Sequence, residues 1–174
     1  MEFSLERLLE ILRNTPAILT ALFRDLNYDW TMSNEGANSW TPKEVVAHLI
    51  ICEQINWLPR IRLILLDGAE RSLAPIDMSA HFEIAGNTGL PDLLHLFGQL
   101  RTRSIGELES FHLQEADFFR TANHPVIGEV NLSQLVATWA THDLAHTAQI
   151  ARTMARQSKD LVGPFKHFIP SLHK

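Results

Sequence analysis

One stretch of this chain dictates a helix and at the same time spoils its apolar face. Leu132, Leu135, Val136, Trp139, His142, His146, Ile150 and Met154 recur at spacings of three and four. That spacing draws a single stripe along a helix. Two positions in the middle of the stripe hold histidine, where a helix packed in a bundle would take Leu or Val. Four residues turn a helix by roughly 400°, so the His142 and His146 imidazoles stand one turn apart, about 6 Å, on one face. Two such nitrogens can chelate one metal ion but cannot close a site around it. A third ligand has to come from elsewhere in the chain.

The rest of the chain predicts one all-α domain over residues 1–174, with a bundle over roughly 3–157 and a tail over 158–174. Its 174 residues are 45% hydrophobic, enough for a real core without disulfides or a structural metal. A metal is therefore free to be functional. Fifteen basic against twenty acidic residues give a net charge of -5. With no long basic run, nucleic acid is not the expected partner. A single cysteine, Cys52, excludes an intrachain disulfide and fits a reducing cytoplasm. The acidic, amphipathic N-terminus does not read as a signal peptide, and no apolar run reaches the ~20 residues of a membrane span.

Four amphipathic segments follow from periodicity. The first, residues 4–26, carries Leu5, Leu8, Leu9, Leu12, Ile18, Leu19, Leu22, Phe23 and Leu26. Pro16 interrupts it and predicts a kink or a restart capped by Thr15. Residues 27–39 read as a loop. The second helix opens at Thr41-Pro42-Lys43-Glu44, with Thr41 as N-cap, Pro42 at the first helical position and Glu44 closing a capping box. Its stripe runs Val45, His48, Leu49, Cys52, Ile55, Asn56 and, past Pro59, Arg62, Leu63 and Leu66, ending near Asp67-Gly68. Residues 68–88 lack periodicity and read as the long crossover that a bundle needs between parallel neighbours. A third helix starts at Leu90-Pro91-Asp92. Residues 109–131 read as a loop with an extended stretch near Val126–Val130. Asn131, with Gln134 three residues on, caps the fourth helix, which runs to about Gln157.

Chemistry concentrates on helices two and four. His48 sits in an apolar stripe just as His142 and His146 do. If those stripes face each other, three neutral imidazoles form the ligand set of an open Zn²⁺-type site, although Ni²⁺, Cu²⁺ and Fe²⁺ suit the same donors. A buried imidazole is costly unless its nitrogens find partners, and a metal would satisfy one nitrogen of each. The competing interpretation is core histidines bonded to nearby carbonyls. Cys52, one turn past His48, is a further ligand, a thiol beside the metal or simply a small buried side chain. Gln149 stands where it can hydrogen-bond His146. Asp143 is the nearest carboxylate by sequence and either orients a ligand or meets solvent. Asp143 and Cys52 are the candidate catalytic groups. His81, His95, His112, His124, His167 and His173 read as solvated or locally bonded.

With these residues in view, the sequence resembles the DinB/YfiT-like family of metal-binding four-helix bundles, the DinB superfamily. The resemblance rests on Trp40-Thr41-Pro42-Lys43-Glu44-Val45-Val46-Ala47-His48-Leu49. It rests equally on His124-Pro125-Val126-Ile127-Gly128-Glu129-Val130-Asn131-Leu132 leading into His142-Asp143-Leu144-Ala145-His146-Thr147-Ala148-Gln149-Ile150. It implies an up-down-down-up bundle with the long crossover between helices two and three. It implies a divalent metal, zinc or nickel, on His48, His142 and His146, and a homodimer. The activity it implies is metal-dependent chemistry on a small molecule, either hydrolysis or S-transfer with a low-molecular-weight thiol as cosubstrate. The alternative is a non-catalytic module that binds a metal or small ligand in a stress response.

Overall fold

Two of the three expected helix caps, at Thr41 and Asn131, are realised as hydrogen bonds. The computed structural model describes residues 2–67, 72–77 and 79–173. Helix α1 spans Leu5–Phe23, a short α2 spans Asp29–Met32, and α3 spans Pro42–Ile55. At the start of α3 the Glu44 N–H donates to Thr41 Oγ1 at 3.2 Å, and the Thr41 N–H donates to Glu44 Oε2 at 2.7 Å. Two of the N–H groups that a helix start leaves unmet are thereby satisfied reciprocally. Asn131 and Gln134 do the same for the last long helix, α7, over Leu132–Arg156. Between them lie α4 (Trp57–Asp67), α5 (Ala80–Asn87) and α6 (Leu90–Ser110). The bundle is built from α1, the α3–α4 pair, α6 and α7.

Pro16 does not restart the first helix, which runs through it, and Ile18 and Leu26, expected on its apolar face, are exposed. A proline cannot donate to the carbonyl four residues back, so the Leu12 carbonyl is left without its helical donor. Arg101 on α6 supplies the missing bond, with Nη1 donating to Leu12 O at 2.8 Å. Thr15 caps nothing; its hydroxyl donates to the Ile11 carbonyl. The second helix is interrupted at Asn56, whose φ/ψ of −100/−65° departs from regular helix although its N–H still donates to the Cys52 carbonyl at 3.0 Å. Pro59, three residues on, cannot donate back to Ile55 and favours the break. The buried face rotates with it. Ile55 and Leu66, expected in the core, are 46% and 80% exposed, whereas Trp57, Leu58, Ile61 and Ile64 are buried.

Two other expectations change. Residues 68–88 are not wholly irregular, because α5 lies within them and buries His81 and Ala85; Gly68 to Arg71, where the crossover begins, are outside the described residues. The segment 109–131 holds an antiparallel hairpin, β1 (Thr121–His124) against β2 (Gly128–Asn131), in which Ala122 pairs with Val130. Gly128, at φ +79°, makes its turn in the left-handed region that suits glycine. The tail folds into 3₁₀ turns over Gly163–Phe168 and Pro170–Leu172 and buries Leu172. Among the described residues, no helix is long and apolar enough to cross a membrane.

The apolar interior divides into two clusters. One gathers Leu9, Leu12, Trp57, Leu58, Ile61, Ile105, Leu108, Leu132, Val136 and Trp139. The other gathers Leu19, Phe23, Val45, Val46, Leu49, Ile50, Leu93, Phe97 and Ile150. Along each bundle helix, polar or helix-breaking residues fall where one cluster gives way to the other. They are Thr15 and Pro16 on α1, His48 and Glu53 on α3, Arg101 and Ser104 on α6, and His142, Asp143 and His146 on α7. The predicted ligands belong to this polar level of the bundle.

Candidate metal centre

His48 reaches the site from α3, His142 and His146 from α7. His48 Nε2 lies 3.2 Å from His142 Nε2, and His146 Nε2 lies 3.1 Å from His142 Nε2. All three ligand atoms fall within 4.8 Å of one another, the one such group of metal-binding side chains among the described residues. Nitrogens bonded to one tetrahedral Zn²⁺-sized ion at about 2.0–2.1 Å stand roughly 3.3 Å apart, so the two pairs that include His142 have the spacing of ligands around a common centre.

Donor chemistry supports the fit. Gln149 Oε1 lies 2.8 Å from His146 Nδ1. An amide oxygen can only accept, so His146 carries its proton on Nδ1 and turns the Nε2 lone pair inward. One imidazole nitrogen has one in-plane lone pair, yet His142 Nε2 faces two other nitrogens; a shared cation satisfies all three together. Burial, with His146 and His48 adding, pushes His142 down to about 3. Burial, with His146 and His81 adding, pushes His48 down to about 4. His146 is lowered as well, by burial against the opposing hydrogen bond from Gln149. All three are thus neutral near pH 7, the form that ligates. Aromatic rings wall the site. Trp40 stacks on His146 at 6.2 Å and lies 4.8 Å from His48, and Trp57 meets His142 edge-on at 5.1 Å between centroids.

Cys52 approaches without joining the ligands. Its Sγ is 3.5 Å from His48 Nε2 but stands outside the group of mutually close donor atoms. Burial, aided by the charges of Glu53 and Asp143, pushes the thiol up to about 12, which disfavours the thiolate in the metal-free protein. Asp143 meets neither solvent nor a ligand histidine. It is fully buried, and Arg101 holds it through Nη1 to Oδ2 at 2.5 Å and Nη2 to Oδ1 at 3.0 Å. Trp139 is a core residue whose indole N–H donates to Glu53 Oε1 at 3.0 Å. His124 stays in its turn, with Nδ1 accepting from the Val126 N–H. His95, His112, His167 and His173 are exposed.

Three residues at this level escaped the sequence reading. His81, placed by α5, is 1% exposed and lies 4.3 Å from Trp40 and 5.7 Å from His48, ring to ring; no periodic signal marked so short a helix. Glu53 and Arg101 did carry a signal. Leu93, Phe97, Arg101, Ile105 and Leu108 follow one helical stripe, as do Val46, Ile50, Glu53 and Trp57, and a charge on such a stripe needs a buried partner.

Fold and site together define a class, a helical bundle that converges three neutral imidazoles from two of its helices on one point. The chain belongs to the DinB superfamily, whose sequence profile matches residues 11–150. Proteins of Bacillus cereus (strain 03BB102) and Bacillus anthracis (strain A0248), named as candidate metal-dependent hydrolases, are each 25% identical to it over 146 residues. That stretch is 83% of this chain and 82% of each relative. YfiT from Bacillus subtilis, described as a candidate metal-dependent hydrolase with an unusual four-helix bundle topology, superposes with a TM-score of 0.75 at 21% identity. The superposition covers 88% of this chain and 86% of YfiT. The four-helix bundle protein TT2238 superposes with a TM-score of 0.59 at 20% identity, over 86% of this chain and all of that one.

Proposed function

We propose that this protein is a metal-dependent enzyme that acts on a small molecule, with His48, His142 and His146 holding one divalent cation, zinc or nickel. The observation that carries the reading is the convergence of three Nε2 atoms, one pair 3.2 Å and another 3.1 Å apart. The bundle is read as up-down-down-up. Helices α1 and α7 meet the first apolar cluster with their N-terminal halves, whereas α3 and α6 meet it toward the C-terminal side.

When bound, a divalent cation with three protein ligands and open positions supplies Lewis acidity and lowers the pKa of water or a thiol that joins it. The chain's own groups do the rest. Gln149 fixes the His146 tautomer. Trp40 and Trp57 flank the ligands with apolar faces, which exclude bulk water and suit a substrate with an apolar portion. Asp143 is already taken by Arg101, and the Cys52 thiol keeps its proton in the metal-free protein. Neither side chain is placed as a ready general base, so a bound cation would supply the acidity of the nucleophile, whose proton would pass to solvent. Hydrolysis is the reaction that the candidate hydrolase relatives favour; S-transfer from a small thiol would draw on the same neutral ligand set.

The test is turnover by zinc- or nickel-loaded protein across ester, amide and thiol-transfer substrates, with His142→Ala alongside. The expected result is metal-dependent turnover that falls by at least about a hundredfold in the variant. Equal turnover in metal-free His142→Ala would overturn the proposal.

A further inference from the structure

Arg101 is almost completely buried, with its side chain 2% exposed, and it bonds to the three other bundle helices at once. Nε and Nη2 donate to Glu53 Oε1 on α3 at 3.0 and 2.8 Å. Nη1 and Nη2 donate to Asp143 on α7. Nη1 also donates to the Leu12 carbonyl on α1, the one that Pro16 leaves without a helical donor. The guanidinium lies against Phe97 and Trp139, 4.9 and 5.3 Å from their ring centroids. Glu53 Oε1 takes a third bond from Trp139 Nε1. The cluster of one cation and two carboxylates has a formal charge of one minus.

Stability does not account for such a cluster. Removing charges from water costs about as much as their attraction returns, and apolar side chains of similar size commonly hold a core as well or better. The best-attested use of a buried polar cluster is to fix one register among several that apolar packing would allow. Here the register in question is that of α3 against α7, the two helices that carry the ligands. Glu53 lies five residues past His48, and Asp143 directly follows His142. A slip of one turn would break the Arg101 bonds and separate the imidazoles together.

We propose that Glu53, Arg101 and Asp143 are positioning residues for the three histidines: they lock α3, α6 and α7 so that the Nε2 atoms converge before any cation arrives, and their negative charge offsets part of the cation's charge. This rests on the metal-site reading above. A site preorganised in this way does not spend binding energy on assembling its ligands, and groups behind the ligands commonly govern affinity by about ten- to a hundredfold.

The experiment measures zinc affinity by chelator competition, and the visible spectrum of the Co²⁺-loaded protein, for wild type and two variants. Glu53→Gln removes one charge and keeps an oxygen for Trp139 Nε1. The triple variant Glu53→Gln/Arg101→Met/Asp143→Leu removes the cluster without stranding a charge. Metal-free melting temperature and helical content are recorded in parallel. In wild type we expect one tight site with a tetrahedral Co²⁺ spectrum. In Glu53→Gln we expect about tenfold weaker zinc binding at nearly unchanged metal-free melting temperature. In the triple variant we expect a loss of about a hundredfold or more and an altered Co²⁺ spectrum. If the triple variant fails to fold, Glu53→Gln decides alone. Wild-type affinity and spectrum in the folded variants would overturn the positioning role while leaving the metal site standing. A wild type that binds neither zinc nor Co²⁺ would overturn both.

Discussion

Arg101→Ala should be among the most destabilising single substitutions in this protein, costing about 3–5 kcal/mol. The cost comes from what is left behind. Glu53 and Asp143, each with a side chain 0% exposed, would lose their shared cation in a place water does not reach. The Leu12 carbonyl, already without a helical donor because of Pro16, would lose its remaining bond. Breaking a buried pair from one side is far more damaging than removing the whole cluster, because the survivors keep their desolvation penalty. A shift of the urea midpoint at constant slope measures it. A loss below about 1 kcal/mol would mean that water or a rearranged neighbour takes over the role of the guanidinium.

Acid should produce the second large effect, on the metal-free protein. His142 and His48 titrate near 3 and 4 in the folded state, chiefly because burial penalises their charged forms. In the unfolded chain each titrates near 6.5. Between those values the unfolded state binds protons that the folded state excludes, so stability rises with pH across this window. It is fully present above about pH 6.5 and is lost as pH falls toward the folded values. For His48 alone the shift is equivalent to about 3 kcal/mol by pH 4. Urea midpoints of metal-free protein at pH 7, 5.5 and 4.5 should fall steadily, and most of the decline should come before ordinary carboxylates titrate. A midpoint that is flat from pH 7 to 4.5 would show that the imidazoles are not held neutral by burial. Bound metal should postpone the decline, because ligation competes directly with protonation.

Much of this architecture is legible in the sequence, because its strongest signals are local. Thr41, Pro42 and Glu44 specify a helix start through bonds that close within three residues, and Asn131 with Gln134 repeats the device. His48, His142 and His146 stand out because each interrupts an apolar stripe, and the structure brings their Nε2 atoms together. The illegible parts are settled by tertiary partners. Local rules allow a restart at Pro16, but the helix runs on and the carbonyl it orphans is satisfied from another helix. Asp143 looks like a solvated or ligand-orienting carboxylate until Arg101, forty-two residues away, takes both of its oxygens. His81 belongs to an eight-residue helix too short to announce itself by period, and only folding brings it beside Trp40 and His48. Proline and charge on a helix mislead when each is read without the other. Here Pro16 and Arg101 are two halves of one feature.

The most direct test of the central claim is metal content per chain, measured by elemental analysis on untagged protein after reconstitution with zinc or nickel, for wild type and His48→Ala. Three imidazoles converging on one point predict about one equivalent in wild type and none in the variant. Wild type without stoichiometric metal, or a His48→Ala variant that retains its full equivalent, would contradict the claim.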